Sequence, residues 1–350
     1  MTTIDQLAKA AELEPLYRLM GEIKALAPWE FMDESQMFGI QRPDSDITGY
    51  VSVMGTLGEH IAISVYLGDL ALSQFRQIEI SSVMSPEALL ATRQVQASFE
   101  DRDMLDKRDR EIIKVLGLKY RGAQTWVMFR SYLPAYAPWY IDSDEAQWLR
   151  TALEQLLVMA PRVRADPSIL PDFETADYLI RIPQASGDTL NWREEIRHID
   201  SPTQHYEGNI NQQSIDDLAA LKRSKNLSLE IDVSLLPMTI AERNERPTFP
   251  YLLLIVDHRR GDIIDFTMID ARPSLDKLWS SVPNILLERL AALPERPKSI
   301  RMRHPLLLGV MRMLEKKLDI KILETPALVS LDMARHFMIG SAFGGAEPMW

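Results

Sequence analysis

Phe249-Pro250-Tyr251-Leu252-Leu253-Leu254-Ile255-Val256-Asp257-His258-Arg259-Arg260-Gly261-Asp262-Ile263-Ile264-Asp265-Phe266-Thr267-Met268-Ile269-Asp270 decides how the C-terminal part of the chain is built. The unbroken apolar run Leu252 to Val256 predicts a strand buried on both faces. His258-Arg259-Arg260-Gly261 is too polar to continue it, so the chain turns there and returns as a second strand from Ile263 to Ile269. Asp257 is left at the mouth of the turn. A carboxylate at the end of a central strand is a place where a divalent metal can be held, which makes Asp257 the candidate metal ligand. The competing reading is a side chain that accepts hydrogen bonds from the turn amides of Arg259 and Arg260.

Beyond the hairpin, the pattern predicts a helix from Leu275, interrupted at Pro283 and resumed to Leu293. A strand Ser299 to Arg303 follows, then a helix Pro305 to Leu318 opened by its proline, a strand Ile320 to Glu324, and a last helix capped at Thr325-Pro326 and running to Ile339. The order is β-β-α-β-α-β-α, and the helical crossover before the last strand requires a parallel pair. Arg301 and Arg303 alternate with Ile300 and Met302, so Arg301, Arg303 and His304 are read as an interface surface. Residues 341–350 form a glycine-rich tail.

Upstream, Leu7, Ala8, Ala11, Leu16, Leu19, Met20 and Ile23 recur at helical spacing, and Pro28 ends that helix or helix pair. Tyr50 to Met54 and Ile61 to Leu67 read as strands joined through Gly55-Thr56-Leu57-Gly58. Ser85-Pro86-Glu87 has the form of a helix start. Asp106 caps a helix carrying Ile112 and Ile113 and closed by Gly117; Ser143-Asp144-Glu145 opens another, stopped near Pro161. Tyr178 to Pro183 and Trp192 to Ile199 alternate as strands. Ser201 to Gln212 is a loop, followed by a short helix (Ile215 to Lys222), a strand (Leu227 to Val233) and a linker, Ala241 to Pro247. The reading is an α+β protein: residues 1–240 as an α+β domain with a mostly antiparallel sheet, and residues 241–340 as a small α/β domain with a partly parallel sheet.

Composition narrows the chemistry. The chain has 350 residues, enough for two cores. It contains no cysteine, which excludes disulfides, thiolate nucleophiles, iron–sulfur clusters and cysteine-ligated zinc. No apolar run approaches the roughly 20 residues of a membrane-spanning helix, and no secretory signal is legible, so a cytoplasmic protein is expected. Net charge is −11, yet Arg246 to Gly340 holds 15 Lys and Arg against 11 Asp and Glu. That local excess permits a nucleic-acid partner without indicating one.

Three further patterns bear on function. Trp126, Phe129, Tyr132, Tyr136, Trp139 and Tyr140 crowd one short window, with Arg121 and Arg130 beside them. Trp126, Arg130, Trp139, Tyr140 and Arg121 are the ligand-binding candidates, since flat groups stack on such rings and arginine takes an anionic substituent. The bland alternative is a set of core anchors. Gly55-x-x-Gly58 lies between two strands, so it is a turn and not a phosphate loop, which would need a following helix. The six histidines show no zinc-type spacing; His198 and His205 flank one loop.

Ala27-Pro28-Trp29-Glu30, Val51-Ser52-Val53-Met54-Gly55 with Gly58-Glu59-His60, Phe99-Glu100-Asp101-Arg102, Gly117-Leu118-Lys119-Tyr120-Arg121-Gly122 and Phe129-Arg130-Ser131-Tyr132 resemble a family of uncharacterised bacterial two-domain proteins. Arg246-Pro247, the hairpin and Arg296-Pro297 are similar to that family's C-terminal unit. The resemblance implies no activity and carries over no functional residues. The C-terminal pattern is also similar to the ribonuclease-H-like fold, in which converging acids hold two metal ions. Asp257 fits a first acid and Asp332 a late-helix acid, but Arg303-His304 stands where a second strand-end acid is needed. The expectation is a non-catalytic ligand- or protein-binding protein without a cofactor. The alternative is a metal-dependent hydrolase or nuclease using Asp257.

Overall fold

The computed structural model describes residues 3–80, 90–186, 189–202, 210–241 and 245–343. The Ser85-Pro86-Glu87 helix start and His205 lie outside them. The chain divides into two units: Met1–Pro134 with Pro138–Thr203, and Ala135–Ala137 with Gln204–Trp350.

The first unit contains α1 (Thr3–Leu26), β1 (Phe38–Gln41), β2 (Thr48–Met54), β3 (Ile61–Leu67), α2 (Asp69–Ile80), β4 (Gln94–Glu100), α3 (Lys107–Val115), β5 (Trp126–Tyr132), α4 (Ser143–Ala165), β6 (Asp177–Ser186) and β7 (Thr189–His198). The strands form one sheet in the order β5-β4-β3-β2-β1-β6-β7. Only the β1–β6 pair is parallel. α1 and α4 bury Leu16, Met20, Ile23, Trp148, Leu149 and Leu156 in a core with Val51, Val53, Ile63, Val65 and Ala97 of the sheet. Gly49 makes room for this layer: a Cβ there would lie 2.9 Å from the Trp148 ring. A second cluster joins Phe75 of α2 to Tyr50, Tyr66 and Tyr178.

Capping explains the helix starts. Asp106 accepts from the Asp109 amide and Asp142 from the Glu145 amide, each within a reciprocal capping box. Gly117, with φ 68°, ends the α3 region in the left-handed conformation. One proline reading needs correction here: α4 continues past Pro161 to Ala165, because Met159, Ala160 and Val163 are all buried and hold the last turns against the core. α1 is a single helix that runs through Pro15. The aromatic window Trp126 to Tyr132 is itself an edge strand, paired with β4.

The second unit contains α5 (Gln212–Ala220), β8 (Ser228–Leu235), β9 (Tyr251–Asp257), β10 (Ile263–Ile269), α6 (Leu275–Ala291), β11 (Ser299–Met302), α7 (Pro305–Leu318), β12 (Lys321–Glu324) and α8 (Val329–Phe343). Its sheet runs β10-β9-β8-β11-β12. The hairpin β9–β10 is antiparallel, β8–β9 is antiparallel, and β8–β11 and β11–β12 are parallel. The expected boundary at the Ala241–Pro247 linker therefore moves towards the N-terminus. β8 is the central strand of the second sheet and α5 belongs with it, so residues 210–240 are part of the second unit. Ala135–Ala137 join it as well: the Ala135 carbonyl accepts from the Phe249 amide at 2.9 Å, and the Ala137 amide donates to Pro247 O at 2.9 Å.

α6 runs continuously through Pro283, which is buried within it, so no interruption occurs there. α8 begins at Val329, beyond the expected Thr325-Pro326 cap. Leu252, Leu254 and Val256 of β9 pack beneath Leu331 and Ala334 of α8. Tyr251 faces the other way, its ring 5.2 Å from Trp279 of α6. β9 is thus covered on both faces, as its apolar run demands.

Candidate functional site

Strand β8 alternates Leu229, Ile231, Val233 and Leu235 with Glu230, Asp232 and Ser234, and every one of the eight residues from Ser228 to Leu235 is buried. A buried acid must be paired or neutralised. Glu230, 1% exposed, accepts from His258 Nδ1 at 2.5 Å and from the Leu331 amide at 2.8 Å. It thereby ties the hairpin turn to the first turn of α8. Asp232 accepts from Arg303 Nε at 2.6 Å. The far side of the same guanidinium forks onto Asp332 of α8, with Nη1 at 3.1 Å and Nη2 at 2.8 Å, and Arg335 also reaches Asp332 at 3.0 Å. Burial works against the charge on Arg303, but the hydrogen bonds to Asp332 and the field of Asp232 outweigh it and raise its pKa above the ordinary value.

This centre gathers an acid from the central strand, an acid from the last helix and a cation from the tip of the neighbouring parallel strand. The guanidinium fills the space between the two carboxylates. Among the described residues no three His, Asp or Glu side chains gather in a way that could hold a metal ion.

Asp257, the expected metal ligand, lies elsewhere. Its carboxylate accepts from the amides of Arg259 at 2.8 Å and Arg260 at 3.0 Å, closing the hairpin turn. Asp232 was missed because its strand was assigned to the first domain. The signal that could have found it was the alternation of acids with β-branched and aliphatic residues in a strand too apolar to sit at an edge. Arg303 and His304, read as interface residues, are engaged inside the second unit. His304 stacks on Trp279 at 4.6 Å, and burial lowers its pKa, opposed by the charge of Asp232. Arg301 is half-buried on β11, in register with Glu230.

In the first unit the aromatic candidates separate into two places. Arg130 makes a two-pronged ion pair with Asp109 of α3, Nη1 at 2.9 Å and Nη2 at 2.5 Å, and is 11% exposed. The Tyr140 hydroxyl donates to Asp106, and Arg108 lies 4.0 Å from the Tyr140 ring centre. Burial, reinforced by the Asp106 carboxylate, raises the pKa of the Tyr140 phenol. Trp139 pairs backbone to backbone with Ser131 and packs edge-on against Tyr140. Arg130, Tyr140 and Trp139 therefore clamp α3 and the following loop to the edge strand. The carboxylates of Asp109 and Asp106 occupy the polar groups of Arg130 and Tyr140. Tyr136 belongs to the second unit, where its strand-like bridge is to Thr248.

Trp126 is different. It lies at the far end of β5, against Tyr120 at 5.7 Å, with the Arg102 guanidinium 5.7 Å from its ring centre. Burial pushes the Tyr120 phenol up to about 12. Trp126, Ile113 and Leu118 floor a groove of about 470 Å³, whose walls carry Arg102, Lys107, Arg110, Lys114 and Lys119. Lys107, Arg110 and Lys114 share one helical face of α3 by their spacing of three and four. Arg121 is exposed nearby in sequence but is not a lining residue.

Fold and sites together define a two-domain α+β protein. Residues 14–181 match the model of a domain of unknown function, DUF7309, and residues 214–339 match that of a second domain of unknown function, DUF6930. The two matches fall on separate stretches and fit a two-domain organisation of the chain. No curated protein matches it. No helix among the described residues is long and apolar enough to cross a membrane.

Proposed function

We propose that the protein is a non-catalytic binding protein that serves a small ligand or a protein partner. The observation that carries this reading is Arg303 seated between Asp232 and Asp332. A fixed guanidinium between two acids supplies the positive charge that a hydrolytic site of this layout would draw from divalent ions, and it offers neither a nucleophile nor a Lewis acid. The strand order β10-β9-β8-β11-β12, with β9 alone running against the rest, supports a ribonuclease-H-like scaffold for the second unit. Folds outlive their chemistry, and the scaffold alone assigns no activity. A bacterial origin belongs to this reading and rests on the resemblance of the sequence blocks. A cytoplasmic setting is its default.

The test is calorimetric titration of the full chain with Mg²⁺ and Mn²⁺, alongside cleavage assays on DNA, RNA and their hybrid. No metal-dependent cleavage is expected. Metal-dependent cleavage that disappears in Asp232→Asn would overturn the reading.

A further inference from the structure

Five cations wall one groove of the first unit: Arg102, Lys107, Arg110, Lys114 and Lys119. Within the groove a single acid, Glu111, lies 3.8 Å from Lys107. Among the described residues Arg110, Lys114 and Lys119 have no carboxylate partner, although the chain as a whole carries −11. All five cations are exposed, whereas Trp126 on the floor is half-buried. Several arginines elsewhere are matched: Arg42 by Asp44 and Asp144, Arg130 by Asp109, Arg303 by Asp232 and Asp332. Unmatched like charges held around one depression repel one another, and a polyanion relieves that repulsion.

We infer that this groove binds a nucleoside phosphate, its base on the Trp126–Arg102 platform and its phosphates among Arg110, Lys114 and Lys119. The inference rests on the binding-protein reading and gives it a ligand class. Three features select this chemistry. A tryptophan ring beside a guanidinium stacks a flat heteroaromatic ring from either partner. Several convergent cations suit a group with more than one negative charge better than a single carboxylate. A volume of about 470 Å³ is that of a small-molecule site, too short for a stretch of acidic polypeptide. The same chemistry occurs in a free nucleotide and in one residue of a single strand, so the experiment separates the two sources.

The full chain is titrated with ATP, GTP and CTP, with adenosine, with inorganic tripolyphosphate and with a short single-stranded oligonucleotide, following tryptophan fluorescence and heat. Nucleoside triphosphates are expected to bind and adenosine not to. Tripolyphosphate should bind about tenfold or more weaker than ATP, since stacking on one aromatic ring is worth roughly that factor or more. Trp126→Leu and the double variant Arg110→Gln/Lys114→Gln should each weaken ATP at least about tenfold. The double variant changes only exposed helix positions, so its fold serves as the control if Trp126→Leu is unstable. Tighter binding of the oligonucleotide than of ATP, with the same sensitivity to both variants, supports the groove and assigns the ligand to a strand. Absence of binding by every phosphate ligand, binding indifferent to these variants, or tripolyphosphate equal to ATP overturns the inference and leaves the Arg303 argument standing. Conversely, phosphate release from bound ATP would sink the non-catalytic reading while supporting the groove.

Discussion

The centre around Arg303 and the groove around Trp126 are built from the same materials, guanidinium groups near aromatic and acidic side chains, and end in opposite electrostatic states. At the centre in the second unit both cations meet carboxylates: Arg303 lies between Asp232 and Asp332, and Arg335 shares Asp332. In the first unit the α3 face presents Arg110 and Lys114, which have no carboxylate partner among the described residues, beside Lys107 paired with Glu111. A matched buried charge is a structural device, because removing one member strands the other in a poorly solvating interior. An unmatched exposed charge contributes little to stability and much to recognition. Charge density alone does not distinguish the two; the distance to the nearest carboxylate does.

The comparison can be broken most directly at Asp232. Asp232→Ala leaves the Arg303 guanidinium with half its partners and should cost about 3–5 kcal/mol of unfolding free energy in denaturant titration. Replacing both Asp232 and Arg303 with leucine should recover much of that loss. A cost below about 0.5 kcal/mol for the single change would mean that the centre is not the structural device described.

Arg130→Ala tests the second matched pair. It strands Asp109, which is 6% exposed, and should cost about 2–4 kcal/mol. It should also loosen the clamp between α3 and β5, seen as faster amide exchange in Lys107–Val115.

A smaller effect appears at His304. Its folded pKa is lowered, so the unfolded chain takes up a proton first as the solution is acidified. Its contribution to stability is therefore complete above its ordinary value of 6.5 and declines as pH falls below it. His304→Phe, which keeps the stacking on Trp279, should give a shallower loss of stability below pH 6.5 than the parent. An identical slope would contradict the burial argument.

The smallest effect is expected in the groove. Arg110→Gln/Lys114→Gln removes two charges yet should leave stability within about 0.5 kcal/mol of the parent. A large loss there would show that these cations are matched after all, and the contrast between the two regions would fail.

Much of the second unit could be read from residues alone. The run Leu252 to Val256 needs cover on both faces wherever it is placed, and it has α8 on one side and Trp279 on the other. The turn at Asp257 follows from local chemistry, since a carboxylate two and three residues before free amides closes on them. The caps at Asp106 and the glycine at Gly117 are equally local. The prolines misled because a helix break costs only what neighbouring packing fails to restore. Pro161 and Pro283 both lie in helices held down by buried side chains on either side. The placing of β8 was illegible for a different reason. Its partners β9 and β11 come later in the chain, and nothing within residues 228–235 says which sheet will receive them.

Residue order alone determined the helix caps at Asp106 and Gly117, the turn at Asp257, the two-sided burial of β9 and the exclusion of cysteine chemistry, because each depends on interactions within a few residues or on composition. Tertiary structure decided that Asp232 and Asp332 share one guanidinium, that Arg130 is held by Asp109, and that five cations and the acid Glu111 line the groove around Trp126. The first two outcomes depend on which side chains come within a few ångströms across sequence separations of 21 or more. Charge energies fall with distance and not with sequence separation.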